Sequence, residues 1–240
     1  MGLQAALRLI YPPLCIACDG QVATEFGLCT DCWQTTPFIG GAVCDCCGAP
    51  LPGEDDGRAA QCDDCLTLAR PWSRGRAALQ YRDTARQLVM ALKHADRLDL
   101  AVPAAQWLMR AASPLIAPDT VIAPVPLHWL RMVRRKYNQS AVLAQALARQ
   151  AGRPACPDLL IRHRNTRSQE GRDRDGRFRN VEGAFRVRPG RDWVAAGRPV
   201  LLVDDVMTSG ATLSACTEAC LAAGAARVDV VVLCRVAKEA

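Results

Sequence analysis

The chain has 240 residues, half of them apolar, with a formal charge of +6 and 13 cysteines. This is enough apolar material for a buried core in one or two domains, and no apolar run reaches the roughly 18 residues that a membrane-spanning helix needs. Aromatic residues, at 5 %, are too sparse for an extended base-stacking platform.

The charge is unevenly spread. Residues 1–70 carry 3 Arg against 9 Asp and Glu, a balance of −6, whereas residues 71–240 carry 27 Lys and Arg against 15 Asp and Glu, a balance of +12. The only lysines are Lys93, Lys136 and Lys238, so the positive charge is almost all guanidinium, which suits bidentate phosphate contacts.

Residues 1–10 are weakly apolar and lack a small-residue cleavage pattern. The segment is predicted to be a short amphipathic helix packed on the first domain rather than a secretory leader, which places the protein in the cytoplasm. Nine of the 13 cysteines then precede residue 66, in two repeats of one grammar. Cys15-x2-Cys18 is followed after ten intervening residues by Cys29-x2-Cys32, and Cys44-x2-Cys47 after fourteen by Cys62-x2-Cys65. Each C-x-x-C is a tight knuckle that brings two thiolates to one ion, and two knuckles fill the tetrahedral shell of zinc with no position left for water. One or two structural zinc ions are expected, the rival being a redox or iron–sulfur role.

Spacing leaves open whether the knuckles pair in sequence or cross over. Cys46 is the ninth cysteine, and the C-x-x-C spacing with Gly48 behind it favours Cys47 as the ligand. A filled four-thiolate site carries −2, so two of them lower the formal charge from +6 to +2 and make this module more acidic still. That argues against it as the nucleic-acid-binding part. Residues 48–61 are rich in Gly, Pro and Asp and are predicted to form an excursion inside the second ribbon.

Cysteine pairing ends and the charge changes sign at Ala69-Arg70-Pro71, which sets the expected boundary between a module at 1–70 and a domain at 71–240. A strand is predicted at 75–81, a helix from Asp83 burying Leu88, Val89 and Leu92, a second helix at 98–112 and a buried strand at 121–125. Arg131, Arg134, Arg135 and Lys136 then fall within six residues, ahead of an Ala- and Leu-rich helix ending at Gly152. A basic loop between a strand end and a helix N-terminus is either a solvated turn or a second anion site. His94, His128 and His163 stand alone and are read as structural.

Residues 162–180 contain no aliphatic side chain and seven arginines: Arg162, Arg164, Arg167, Arg172, Arg174, Arg177 and Arg179. Strands at 159–161 and 184–187 bracket this stretch, which is expected to lack regular structure. It reads as a lid over a polyphosphate, a disordered loop, or a contact for single-stranded nucleic acid.

The most informative stretch is Val200-Leu201-Leu202-Val203-Asp204-Asp205, followed by Val206-Met207 and then Thr208-Ser209-Gly210-Ala211-Thr212. Its aliphatic run is a buried parallel strand that the two aspartates are expected to end, with a helix at 213–224 and a last strand at 228–233. The hydroxyl-rich turn at the carboxyl end of such a strand offers backbone N–H groups and a helix N-terminus to a phosphate. Asp204 and Asp205 repel that phosphate and suit what lies beside it, vicinal ribose hydroxyls or a magnesium ion. No G-x-x-x-x-G-K-[ST] occurs, which disfavours a Walker-type nucleotidase. Cys156, Cys216, Cys220 and Cys234 read as small buried hydrophobes.

The run from Val200 to Thr212 resembles the phosphoribosyl-pyrophosphate (PRPP) signature of type I phosphoribosyltransferases. Five further features extend the resemblance over nearly the whole chain, to the ComF family of competence-associated proteins. They are the paired knuckles, Pro124-Val125-Pro126-Leu127, the basic loop into Asn138-Gln139-Ser140, Thr166-x-x-Gln169 with Arg177-x-x-Asn180, and Gly183-Ala184-Phe185. The chain departs from the family at Lys136-Tyr137, where Gly-Phe is common, and at Ser168, where Pro is.

The resemblance implies a type I phosphoribosyltransferase-like parallel sheet flanked by helices, behind a double zinc ribbon. It implies PRPP bound with magnesium, its 5-phosphate on Thr208, Ser209, Gly210, Ala211 and Thr212, its ribose on Asp204 and Asp205, and its pyrophosphate toward Arg135 and Lys136. The acids would also stabilise positive charge on the sugar as the phosphoribosyl group passes to a nucleobase-like acceptor. The alternative is a non-catalytic PRPP sensor or single-stranded-DNA adaptor; competence-machinery proteins are further partners that the family implies.

Overall fold

A computed structural model describes residues 11–94, 97–128, 132, 136–164, 166 and 173–237. Residues 1–10, Arg135 and Gln169 lie outside the described residues.

Each cysteine-rich half carries one short helix, α1 (Thr30–Gln34) and α2 (Asp63–Thr67). There follow β1 (Gly75–Gln80), α3 (Asp83–His94), α4 (Ala101–Ala112), β2 (Val121–Pro124) and α5 (Gln139–Ala151). The chain continues through β3 (Leu160–Arg162), α6 (Arg174–Val181), β4 (Phe185–Val187) and α7 (Asp192–Ala195). It ends in β5 (Pro199–Met207), α8 (Ala211–Ala222) and β6 (Arg227–Arg235).

Strands β1, β6, β5 and β2 form one parallel sheet in that order, and β3 pairs antiparallel with β4 outside it. The unbroken aliphatic runs of β5 and β6 follow from cover on both faces. Strand side chains alternate. Leu201, Val203 and Val231 therefore meet Leu88, Leu92, Leu108, Leu143 and Leu147 of α3, α4 and α5, while Val200, Leu202, Val230 and Val232 meet Cys216 and Cys220 of α8, Phe185 and Val181. Cys156, Cys216, Cys220 and Cys234 are all buried in this apolar interior.

The two cysteine ribbons straddle the edge at β1. Ile39 N–H donates to Ala78 O at 3.0 Å and Gln80 N–H to Pro37 O at 2.9 Å, so the connector between the ribbons covers a strand edge that would otherwise be open. The first ribbon lies on the α3–α4 face, where Thr35 Oγ1 and Thr84 Oγ1 are 2.7 Å apart and Phe38 packs edge-on against Trp107. The second ribbon lies on the opposite face, where Cys44, Cys47 and Cys65 join the core containing Ala77 and Met207. It comes so close that a Cβ at Gly75 would sit 2.4 Å from Cys46 O, so a side chain there would force the backbone of the ribbon to shift.

Three expectations need correction. β5 does not end at the aspartates but runs on to Met207, because its ladder with β6 continues through Val206–Cys234 and Met207–Arg235. The following helix starts at Ala211 rather than 213, so Gly210 is its N-cap. Residues 162–180 are not wholly irregular: 174–181 form α6, capped by Asp173, whose side chain accepts from Gly176 N–H at 2.8 Å. The arginine-rich composition hid this helix, since it buries little beyond Val181 and Phe178.

Candidate functional site

At the carboxyl end of β5 the chain closes around a small open cleft of about 40 Å³. Its walls are Arg177, Asp204 and residues 206–213. That is far below the roughly 300–1,000 Å³ of whole-ligand pockets, so the cleft has room for the anchoring end of a ligand rather than a whole nucleotide. Gly210 turns the chain with φ +81, a left-handed conformation that a side chain strains, and a Cβ there would meet Arg70 Nη1 at 2.8 Å. All five residues of the expected phosphate turn, Thr208, Ser209, Gly210, Ala211 and Thr212, line the cleft at the N-terminal end of α8.

The two aspartates part company. Successive strand residues face opposite sides, so Asp204 looks into the cleft while Asp205 turns toward α3, where Lys93 Nζ lies 3.2 Å from its Oδ2. Asp204 sits at the floor of the cleft, surrounded by protein atoms although part of the residue stays open to solvent. Ser140 Oγ donates to its Oδ1 at 2.7 Å and the Asp205 backbone N–H donates at 2.9 Å. Burial first, and then the neighbouring Asp205 carboxylate, push the Asp204 carboxyl up to about 7, against the pull of Ser140, the Asp205 amide and Lys93. A carboxyl held there changes between proton donor and anionic acceptor near neutral pH.

Ser140 owes its position to the start of α5. Asn138 caps that helix by accepting from Ser140 N–H at 3.1 Å, and its Nδ2 donates to Val125 O at 2.9 Å, tying the cap to the end of β2. Of the expected pyrophosphate pair, Arg135 is outside the described residues; Lys136 is exposed, with φ +64. Buried His128 fits the structural reading given to it. Four contributors were missed. Ser140 and Lys93 reach the acids only through the tertiary fold, whereas Arg70 and Arg235 hold carbonyls of the turn from outside. The signal for Arg235 was a charge closing the apolar run at 230–234 of β6.

The cysteines pair in sequence order. Cys15, Cys18, Cys29 and Cys32 form one cluster and Cys44, Cys47, Cys62 and Cys65 another, with all sulfurs of each within 4.8 Å of one another. The Cys18–Cys29 and Cys47–Cys62 sulfur separations are both 3.7 Å. A tetrahedron with zinc–sulfur bonds of about 2.3 Å has edges of about 3.8 Å, so both clusters fit zinc. In each tetrad one thiol is held low while burial and its anionic neighbours push others up, Cys18 and Cys32 in the first and Cys44, Cys62 and Cys65 in the second. Hydrogen bonding with Cys44, against burial and helped by the Arg235 guanidinium, takes Cys47 down to about 4. Cys15 reaches about 6 because, against burial, backbone N–H groups led by that of Cys29 stabilise its anion. Cys46 stands outside both clusters, and its carbonyl accepts from Trp72 Nε1 at 2.6 Å.

Residues 6–66 match the double zinc ribbon domain and residues 137–240 the phosphoribosyl transferase domain. The DNA utilization protein YhgH of Escherichia coli strain K12 is 31 % identical over 234 residues, covering 95 % of this chain and 99 % of that protein. The chain belongs to the ComF family. Competence protein F of Haemophilus influenzae is 29 % identical to this ComF-family chain over 207 residues, covering 83 % of this chain and 87 % of that protein. Among solved structures, the glutamine PRPP amidotransferase of B. subtilis overlays with a TM-score of 0.37 at 21 % identity, covering 61 % of this chain and 27 % of that one. Both cysteine tetrads of this ComF-family protein are consistent with structural zinc in a double ribbon. No helix among its described residues is long and apolar enough to cross a membrane.

Proposed function

We propose that the cleft binds PRPP with magnesium and that the protein transfers the phosphoribosyl group to a nucleobase-like acceptor, in the service of DNA uptake. One observation carries this reading: the hydroxyl-rich turn at the N-terminus of α8 lines the same small cleft as Asp204. The turn takes the 5-phosphate on backbone N–H groups and on Thr208, Ser209 and Thr212 hydroxyls. Asp204 accepts from a ribose hydroxyl and faces the positive charge that develops at C1. Asp205, paired with Lys93, adds to burial in raising the Asp204 carboxyl and supports it from behind. Lys136 and Arg135 draw the pyrophosphate toward the end of β2, and Arg177 closes the cleft wall. Magnesium supplies charge neutralisation for the leaving pyrophosphate. In the transfer the C1–O bond breaks, pyrophosphate keeps the electron pair, an acceptor ring nitrogen bonds to C1 and its proton goes to solvent. The protein's share is positioning and electrostatics.

The names of the relatives support the association with competence, and the reading places the chain in the cytoplasm as a ribbon module at 1–70 ahead of a transferase domain at 71–240. Calorimetry tests it: PRPP with magnesium should bind the wild type, and Asp204→Asn with Asp205→Asn should abolish that binding while the protein stays folded. Unchanged affinity in the double variant rejects the assignment.

A second reading keeps the PRPP site as a sensor in an adaptor for single-stranded DNA. It is favoured by the +12 balance of residues 71–240 and by the arginines at 162–179. Affinity for an oligonucleotide should then fall steeply with salt, and a flat response removes this reading. Pyrophosphate release from PRPP with candidate bases separates enzyme from adaptor.

A further inference from the structure

The phosphate turn is held from behind by two arginines. Arg235, buried at the end of β6, donates from Nη1 to Met207 O at 3.3 Å, to Thr208 O at 2.8 Å and to Val236 O. Arg70 donates from Nη1 to Ser209 O. Three consecutive carbonyls, of Met207, Thr208 and Ser209, are thus fixed by guanidinium groups. In a planar trans peptide the N–H of the next residue points opposite to the carbonyl. Pulling these carbonyls outward therefore turns the N–H groups of Thr208, Ser209 and Gly210 inward to the cleft.

Both arginines are anchored on the second ribbon and not on the first. Arg235 Nη2 lies 3.7 Å from Cys47 Sγ, inside the second tetrad. Arg70 stacks over Trp72, with Cζ 5.3 Å from the ring, and Trp72 Nε1 donates to Cys46 O between the two knuckle cysteines. A third arm follows the same route, since Arg174 Nη1 lies 3.5 Å from Asp64 Oδ1 in α2, one helical turn before Arg177 in the cleft wall. The first ribbon has its own arginine, Arg97, which donates from Nη2 to Ile16 O at 3.5 Å and approaches Asp19 at 4.0 Å, on the far face of the sheet.

We propose that Arg235 and Arg70 are positioning residues that orient the N–H groups of the phosphate turn, with the second zinc knuckle as their fixed anchor. The state of that zinc site, and not of the first, then controls the affinity of the turn for a phosphate-bearing ligand. N–H···S donation from Arg235 also protects the zinc-bound Cys47 thiolate, so the coupling runs both ways. The inference rests on the reading of the cleft as a phosphate site, and the test keeps the two apart.

The test uses the full chain loaded with two zinc ions. Zinc release to a chromogenic chelator and amide hydrogen exchange across residues 207–212 are measured without ligand, and PRPP–magnesium affinity by calorimetry. Arg235→Gln should speed one of the two release phases 10- to 100-fold and leave the other alone. It should speed exchange at residues 208–210 at least 10-fold while exchange in β5 and α5 stays unchanged, and weaken PRPP at least 10-fold. Arg70→Gln, at the margin of the core, should reproduce the exchange and affinity effects if Arg235→Gln fails to fold. Arg97→Gln should alter neither the turn nor PRPP affinity. Unchanged exchange at 208–210 in both Arg235→Gln and Arg70→Gln overturns the proposal, and so does an equal response to Arg97→Gln. A wild type that binds no PRPP sinks the phosphate reading, while exchange and zinc release still decide the positioning role.

Discussion

The first ribbon rests on the helix face of the sheet through Ile16, Thr35 and Phe38, and its Cys18 is open to solvent. The second, built on the same C-x-x-C grammar, buries Cys44, Cys47 and Cys65 in the core that also holds Met207 at the mouth of the cleft. The cause is the path of the chain at β1. The connector crosses the edge at Phe38 and Ile39, so the two ribbons emerge on opposite faces, and the second shares its core with Met207, which leads into the hydroxyl-rich turn. Repetition in sequence does not imply repetition of role, because a metal site matters to its surroundings through what packs against it.

That contrast can be broken by mutation. The largest effect is expected for Cys65→Ser, which removes a buried ligand from the second site and should lower Tm by on the order of 10 °C in a thermal melt. Cys32→Ser, in the less buried first tetrad, should lower it by less than half as much; equal shifts would contradict the asymmetry. Gly75→Ala forces a Cβ against Cys46 O and should cost about 1–3 kcal/mol in denaturant unfolding, with one zinc ion bound less tightly.

The cleft adds a pH signature opposite in sign to that of the lowered Cys15 and Cys47 thiols of the ribbons. The folded state raises Asp204 from 3.8 to about 7, so between those values the native protein holds a proton that the unfolded chain has released. This group's contribution to stability is therefore full below about pH 4 and is lost as pH rises toward 7. Asp204→Asn should flatten the stability curve across that window, read from urea midpoints, and an unchanged slope would contradict the shift. The smallest effect belongs to the first ribbon: Thr35→Ala removes the hydroxyl pair with Thr84 and should cost about 1 kcal/mol, with no change in PRPP affinity.

Much of the site was legible in local sequence, and the misses have a common origin. The turn at 208–212 and both knuckle pairs are contiguous or nearly so, and hydroxyl, glycine and thiolate chemistry at short spacing leaves few alternatives. The helix at Arg174–Val181 was hidden because its stability comes from a cap and a small apolar contact rather than from an amphipathic stripe. Asp204 and Asp205 looked like one acid pair, but a strand that continues to Met207 sends neighbours to opposite faces and gives them different partners.

The sequence by itself determined the parallel α/β class, the two cysteine sets up to their pairing, and the hydroxyl-rich turn after β5. Each is encoded by apolar periodicity or by residues close along the chain. Only the tertiary structure decided that the knuckles pair in order, that Ser140 and Lys93 share control of the acids, and that Arg70 and Arg235 stand behind the turn. Those partners are far apart along the chain, up to 188 residues for Arg235 and Cys47, and their meeting depends on which face of the sheet each segment covers.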